Sequence, residues 1–302
     1  MSGQVWTLPA NFQTQFDDTW NQVMAQQLDH RLAGTYDIKN VRGSQFRFDL
    51  YGSTSDIMRE KTERAGISRP SDIPTAQRWV RPRPYEKVTI YDEFDPIALG
   101  ELPDPEGPAI MTHATVANRN RDIVLINGMI GVNSTGATGT GTANLLAANQ
   151  IAVTYGNGTD NAGLTLRKMT QSRYVLDVNE VPQEDRNLAY AAKQLNNLLT
   201  NVDQVANYLY NEVKALVDGK IQRFLGFDFK MTQLLPVTTA GVRTCIFWQK
   251  RFVKLGIGSE MRTHVDIIPT QQHALQIRTV VLLDATRLED AGVGTIACDE
   301  TV

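Results

Sequence analysis

The feature that most constrains this chain is a long charged segment between two strand-like stretches in its first third. Residues 46–50 and 87–91 alternate apolar and polar side chains, which is typical of strands with one polar face. Between them, Ser53 to Arg83 is rich in Arg, Glu, Ser and Pro, and its Arg-Pro pairs block a continuous helix. The sequence therefore predicts a hairpin within residues 35–95 whose tip has too few apolar side chains to become ordered without a partner. The alternative is a floppy surface loop.

The N-terminal segment has an amphipathic pattern. From Ala10 to Leu32, apolar residues that include Phe12, Phe16 and Trp20 recur every three or four positions. The pattern predicts a helix with one apolar side. That side could pack on the chain's own core or on a neighbouring subunit.

The remaining chain mixes helical and strand patterns. We expect helices over 115–132, over 164–178 with Lys168 on its wetter side, and from Leu188 to Val202. The Ser, Thr, Gly and Ala run at 133–143 is typical of a mobile surface loop. Strands are expected at 244–255, 262–268 and 276–283. Because these elements follow no strict βαβ alternation and no internal repeat, the predicted fold class is α+β.

Composition limits the possible partners and compartments. The chain has 30 basic and 33 acidic residues, so we expect only weak contact with DNA. No signal-like start or apolar stretch of about 20 residues is seen, so we expect a soluble chain with no membrane partner. Cys245 and Cys298 lie in no CxxC pair, so neither a zinc site nor a disulfide framework is indicated, and a reducing cytoplasm is the natural place of folding.

The sequence contains no recognisable catalytic motif. The Gly136–Gly141 run lacks the Lys-Ser or Lys-Thr of a phosphate loop, and the four histidines form no metal-ligand spacing. No serine lies in a GxSxG elbow. We therefore expect no catalytic residue, no cofactor and no metal.

The order of these parts resembles the major capsid protein of tailed bacteriophages, which has the Hong Kong 97-type fold. Tyr51-Gly52 before the charged tip and the return over 78–91 are similar to the family's extended loop. Further similarities are residues 118–122, expected to open a buried helix, Val181-Pro182 with Arg186, and the return over 219–227. Asp284-Ala285-Thr286-Arg287 is similar to a C-terminal turn at which glycine usually precedes Ala-Thr-Arg.

This resemblance implies a domain organisation and an assembly. It implies an N-terminal arm at 1–34, an extended loop at 35–95, a peripheral domain at 96–180 and 279–302, and an axial domain at 181–278, with a spine helix over Gly163 to Asn179. Subunits would form pentamers and hexamers that close into an icosahedral shell around double-stranded DNA. The candidate inter-subunit contacts are Phe12, Phe16, Trp20, Arg59, Arg64, Arg78 and Arg81.

The implied location is the virion capsid, assembled in the host bacterial cytoplasm. The implied partners are portal, scaffolding and decoration proteins, with packaged DNA enclosed but weakly contacted. Two other functions stay open at this point: a nanocompartment shell protein of the same fold, and an enzyme with an unrecognised α+β fold.

Overall fold

Three helices and fourteen strands are assigned within the described parts of the chain. The computed structural model describes residues 30–52, 58, 60, 61, 64, 72–92, 106–200, 223–238 and 240–301, with backbone alone at 106–108, 199 and 200. The helices are α1 (Glu106–Ile130), α2 (Leu166–Val178) and α3 (Ala192–Thr200). The strands are β1 (Asp37–Asn40), β2 (Phe46–Tyr51), β3 (Thr75–Val80), β4 (Arg83–Tyr91), β5 (Asn133–Thr135), β6 (Gly141–Ala143), β7 (Gln150–Ile151), β8 (Arg186–Tyr190), β9 (Arg223–Phe224), β10 (Phe227–Met231), β11 (Val242–Gln249), β12 (Val253–Ile268), β13 (Ala274–Arg287) and β14 (Val293–Asp299).

A long sheet carries the longest helix. Its strand order is β1-β12-β13-β4, with β12, β13 and β4 antiparallel and β1 parallel to β12. Alternate residues of β13 are buried, because one face of the strand packs under α1. Buried residues at near four-residue spacing along α1, among them His113, Ala117, Val124 and Gly128, form the matching stripe.

A six-stranded sheet holds much of the remaining core. Its order is β7-β14-β11-β8-β10-β9. All five residues of β8 are buried, as expected for a central strand covered on both faces. Leu188, Phe227, Phe247, Trp248 and Ile296 are fully buried in this region.

The charged hairpin lies in a third sheet with the order β2-β3-β5-β6. β2 pairs with β3 in a continuous antiparallel register from Phe46 opposite Val80 to Tyr51 opposite Thr75. β4 does not extend this hairpin, because it pairs with β13 of the long sheet. The expected hairpin is therefore shorter than 35–95.

Two helix predictions are wrong in their bounds. The helix expected at 115–132 begins at Glu106, so residues 118–122 lie inside it and do not open it. Pro108 does not prevent this start, because proline is tolerated in the first helical turn, where its missing N–H has no helical partner. Leu188 lies in β8, and α3 begins only at Ala192.

The strand pairing crosses the expected domain boundaries. The expected boundaries place β12 in the axial domain, yet it pairs along its length with β13 of the long sheet. They place β14 in the peripheral domain, yet it pairs with β11 of the six-stranded sheet. The helix expected over 163–179 is present as α2, but it has 13 residues and packs against β14 and β7, whereas the 25-residue α1 lies on the long sheet.

Candidate inter-subunit site

The base of the charged hairpin is tied to the rest of the chain by Arg78. Its Nη2 donates to Asp290 Oδ2 at 2.6 Å, and its Nε donates to the carbonyl oxygen of Leu288 at 3.0 Å. Both charged side chains are nearly buried, with exposed fractions of 12% and 13%. A guanidinium and a carboxylate with this little solvent are far less screened than an exposed pair.

Asp290 also pairs with a second arginine, Arg287. The Arg287 side chain is fully buried, and its Nε donates to Asp290 Oδ1 at 2.9 Å. Its terminal nitrogens donate to the carbonyl oxygens of Met129 at 2.5 Å, Gly131 at 2.7 Å and Ala143 at 3.1 Å. Burial lowers the pKa of Arg287, and the ion pair with Asp290 opposes that shift. The carboxylate of Asp290 thus connects Arg78 of the hairpin to Arg287, and Arg287 in turn binds the end of α1 and β6.

The glycine-rich run at 133–143 is an ordered hairpin, not the mobile loop expected from its composition. β5 pairs with β3 and with β6. The Trp79 indole donates to the carbonyl oxygen of Gly136 at 2.7 Å, and Arg81 Nη2 donates to that of Gly139 at 2.9 Å. Gly139 has φ +72°, and a Cβ there would lie 2.8 Å from the Arg81 guanidinium and 3.0 Å from the Trp79 ring. The run supports the hairpin base because glycine lets this turn fit under both side chains.

Asp284 completes the base from the long sheet. It lies within β13, so the glycine-type turn expected at this position is absent. Its Oδ2 accepts the backbone N–H of Arg81 at 2.6 Å. Burial raises the pKa of Asp284, and the hydrogen bond from Arg81 acts against that rise.

The candidate contact residues divide into three groups. Phe12, Phe16, Trp20 and Arg59 lie outside the described residues. Arg64 is exposed in a turn. Arg78 and Arg81 meet at the hairpin base, where the bonds described above all lie within the chain. Their role between subunits stays a prediction.

Sequence reasoning missed Asp284, Arg287 and Asp290 as partners of the hairpin. Their three-residue spacing was visible, but Asp290 is 212 positions from Arg78, and nothing local connects the two.

A second buried cation, Lys168, lies in α2. The expectation that Lys168 would lie on the solvent-facing side of this helix is wrong. Lys168 is fully buried, and its Nζ donates to the carbonyl oxygens of Val153 at 2.8 Å, Ala162 at 2.6 Å and Ala297 at 2.8 Å. Burial lowers the pKa of Lys168. The ammonium therefore joins α2, the preceding loop and β14.

Two other kinds of site are absent from the described ranges. Within them, no group of three or more His, Cys, Asp or Glu side chains could hold a metal ion. No helix in those same ranges is long and apolar enough to span a bilayer.

Comparison with known proteins gives the family. A family profile described as phage capsid protein matches residues 8–300. This chain belongs to the phage capsid protein family. A search of curated proteins found no match.

Solved phage capsids have the same fold at low sequence identity. The capsid of cyanophage Pam1 is similar with a TM-score of 0.66 at 11% identity, covering 96% of this chain and 97% of that chain. The head structure of Helicobacter pylori bacteriophage KHP40 has a TM-score of 0.66 at 9% identity, with 97% of each chain covered. Mycobacterium phage Che8 has a TM-score of 0.63 at 11% identity, covering 98% and 99%. The α+β, Hong Kong 97-type fold is thereby confirmed, and the family makes the chain a structural phage capsid protein.

Proposed function

We propose that copies of this capsid protein join in pentamers and hexamers into an icosahedral shell, and that the β2–β3 hairpin of each copy lies over a neighbouring copy. Heterologous contacts of this kind generate closed rings. The proposal includes a shell that encloses double-stranded DNA and is assembled in the host bacterial cytoplasm.

The observation that carries this proposal is the contrast between the base and the outer part of the hairpin. At the base, Val80 is fully buried and Arg78 is held by Asp290. None of the six side chains of β2 is buried, and farther from the base Tyr51 and Ile73 are 78% and 63% exposed. An anchored hairpin with exposed apolar side chains is suited to covering another surface, and each such side chain contributes roughly 1.5–3 kcal/mol when fully buried.

A double substitution tests the hairpin contact. Tyr51→Ser with Ile73→Ser should leave the unfolding midpoint of the dispersed subunit unchanged, because both side chains are already exposed. Shell yield, measured by negative-stain electron microscopy and sedimentation, should fall strongly. Tyr174→Ser is a matched control, since Tyr174 is 61% exposed on α2. Normal shells from the double variant would contradict the proposed hairpin contact.

The strand pairing supports a revised domain division. We assign α1, β4, β12 and β13 to the peripheral domain, with α1 as its spine helix. The axial domain then comprises the six-stranded sheet with α2 and α3. This division keeps each sheet within one domain.

The remaining contacts are proposed from the sequence. The segment with Phe12, Phe16 and Trp20 would dock on another copy or on the inner shell surface, and Arg59 and Arg64 would contact a neighbour. Replacing Phe16 and Trp20 by Ser should reduce assembly more than subunit folding. Equal losses in circular dichroism and sedimentation would instead place this segment in the subunit core.

Contact with DNA should be weak. The formal charge of −3 leaves few counterions to release, so free subunits should bind duplex DNA with little dependence on salt. Portal, scaffolding and decoration proteins are the proposed partners. Purified particles that contain both DNA and a portal would support the enclosed genome and the portal as a partner, and empty particles without a portal would count against both.

A further inference from the structure

The chain's two cysteines meet on one face of the six-stranded sheet. In the antiparallel pairing of β11 with β14, Cys245 lies opposite Ile296, and Cys298 lies opposite Arg243. Because side chains alternate along a strand, Cys298 and Ile296 share a face, and Cys245 is on that face as well. The two cysteines are diagonal neighbours on adjacent strands.

Both thiols are sealed from solvent and contact each other. Cys245 and Cys298 are each 0% exposed, and their side chains are hydrogen-bonded. Both are in the thiol form with no disulfide between them. The hydrogen bond with Cys298, together with burial, raises the pKa of Cys245 well above its usual value. Little Cys245 thiolate is therefore present at neutral pH, and oxidation that begins at Cys245 should be slow.

We propose that Cys245 and Cys298 form a latent disulfide site, which a small two-electron oxidant converts into a bond between β11 and β14. Two S–H bonds break and one S–S bond forms. The two protons and two electrons pass to the oxidant, for example to the N=N bond of a diazene, which becomes a hydrazine. In two steps, one thiolate adds to the N=N bond to give an S–N adduct, and the second thiol then attacks that sulfur, forms the S–S bond and releases the hydrazine.

The position of this bond gives it a structural effect. The chain between the two cysteines contains the whole of β12 and β13. A bond at this place closes that segment into a loop and fixes β14 to the middle of its sheet. Closing a long loop restricts the unfolded chain, so the oxidised subunit should resist unfolding more than the reduced one. In a shell, the disulfide would form after the particle leaves a reducing compartment, and it would then stabilise each subunit against unfolding. That role rests on the proposed function, whereas the thiol chemistry does not.

The test uses the dispersed full-length protein treated for hours with diamide at about pH 8.5, where more thiolate is present than at neutral pH. Thiols are counted under denaturing conditions, and the mass is measured before and after reduction with dithiothreitol. We expect loss of both thiols, loss of two hydrogens, and a peptide linking Cys245 to Cys298. The unfolding midpoint should rise on the order of 5 °C, and dithiothreitol should reverse the rise.

The single variants Cys245→Ala and Cys298→Ala provide the controls. Each retains one thiol and should show no reversible rise in midpoint with diamide. Because the wild-type protein is compared before and after reduction, the test remains valid if either variant folds poorly. Retention of both thiols, or their loss through links between chains, would overturn the proposal. These readouts come from subunits, so their failure is distinct from a failure to form shells.

Discussion

Arg78, at the base of the hairpin, forms an ion pair with Asp290, with 2.6 Å between Arg78 Nη2 and Asp290 Oδ2. The same carboxylate pairs with the fully buried Arg287. The carboxylate of Asp290 is therefore the counter-ion of both Arg78 and Arg287. This arrangement makes Asp290 the member of the group whose loss should be most costly.

Asp290→Ala should destabilise the subunit by about 3–5 kcal/mol, because it leaves the buried Arg287 without its counter-ion. The measurement is urea unfolding of dispersed subunits. Glu86→Ala is the matched control: its ion pair with Arg278 is about half exposed, with fractions of 56% and 49%, and should contribute less than about 1 kcal/mol. Similar losses in the two variants would show that the buried carboxylate has no special role.

Gly128 of α1 lies against β13 with no room for a side chain. A Cβ at this position would lie 2.6 Å from both the Cβ and the carbonyl oxygen of Ala285. Gly128→Ala should therefore push the helix from the sheet and cost about 1–3 kcal/mol, even though alanine favours helices. Asn127→Ala, one position earlier and exposed, should be neutral or slightly stabilising. Thermal unfolding of both variants checks the difference, and equal midpoints would exclude a tight packing contact here.

Local patterns predicted the class of fold better than the partners of each element. The alternation at 46–50 correctly indicated β2, but only tertiary pairing shows that β4 joins β13 and not the hairpin. The sequence pattern puts the start of α1 at residue 115, nine residues after its true start at Glu106. Pro108 lies in the first turn, where a helix accepts proline, so this proline does not mark the helix boundary. The sequence pattern puts Lys168 on the solvent-facing side of its helix, which is wrong. Its partners are backbone carbonyl oxygens, and these cannot be recognised from the residue types in the sequence.

His113 should make the contact between α1 and the long sheet sensitive to acid. Its side chain is buried, with Nε2 2.8 Å from Thr89 Oγ1 and Nδ1 3.2 Å from Thr279 Oγ1. Burial lowers the pKa of His113, and Lys87 lowers it further. Glu86 of β4, which also lines the cavity beside His113, forms an ion pair with Arg278 of β13.

The sign of the pH effect follows from that shift. The folded state favours neutral His113, so this stabilisation is complete above the unfolded pKa of about 6.5 and is lost as the pH falls through the lower folded value. Urea unfolding between about pH 7.5 and 5 should show a smaller loss of stability in His113→Gln than in the wild type. His264→Gln, with an exposed side chain, should behave like the wild type. If the free energy of unfolding falls equally with pH in the wild type and in His113→Gln, His113 is not the source of the acid sensitivity.

Lys168→Met should destabilise the subunit by about 3 kcal/mol, because three carbonyl oxygens lose their donor at a site closed to water. Methionine has a similar length, so lost packing contributes little to the difference. Arg167→Met is the control on the adjacent, exposed position, where Arg167 donates to the carbonyl oxygen of Gly156 and water can replace it. Urea unfolding should place the Arg167 variant within about 0.5 kcal/mol of the wild type. If Lys168→Met and Arg167→Met have the same free energy of unfolding, the buried ammonium of Lys168 is not what joins α2 to β14.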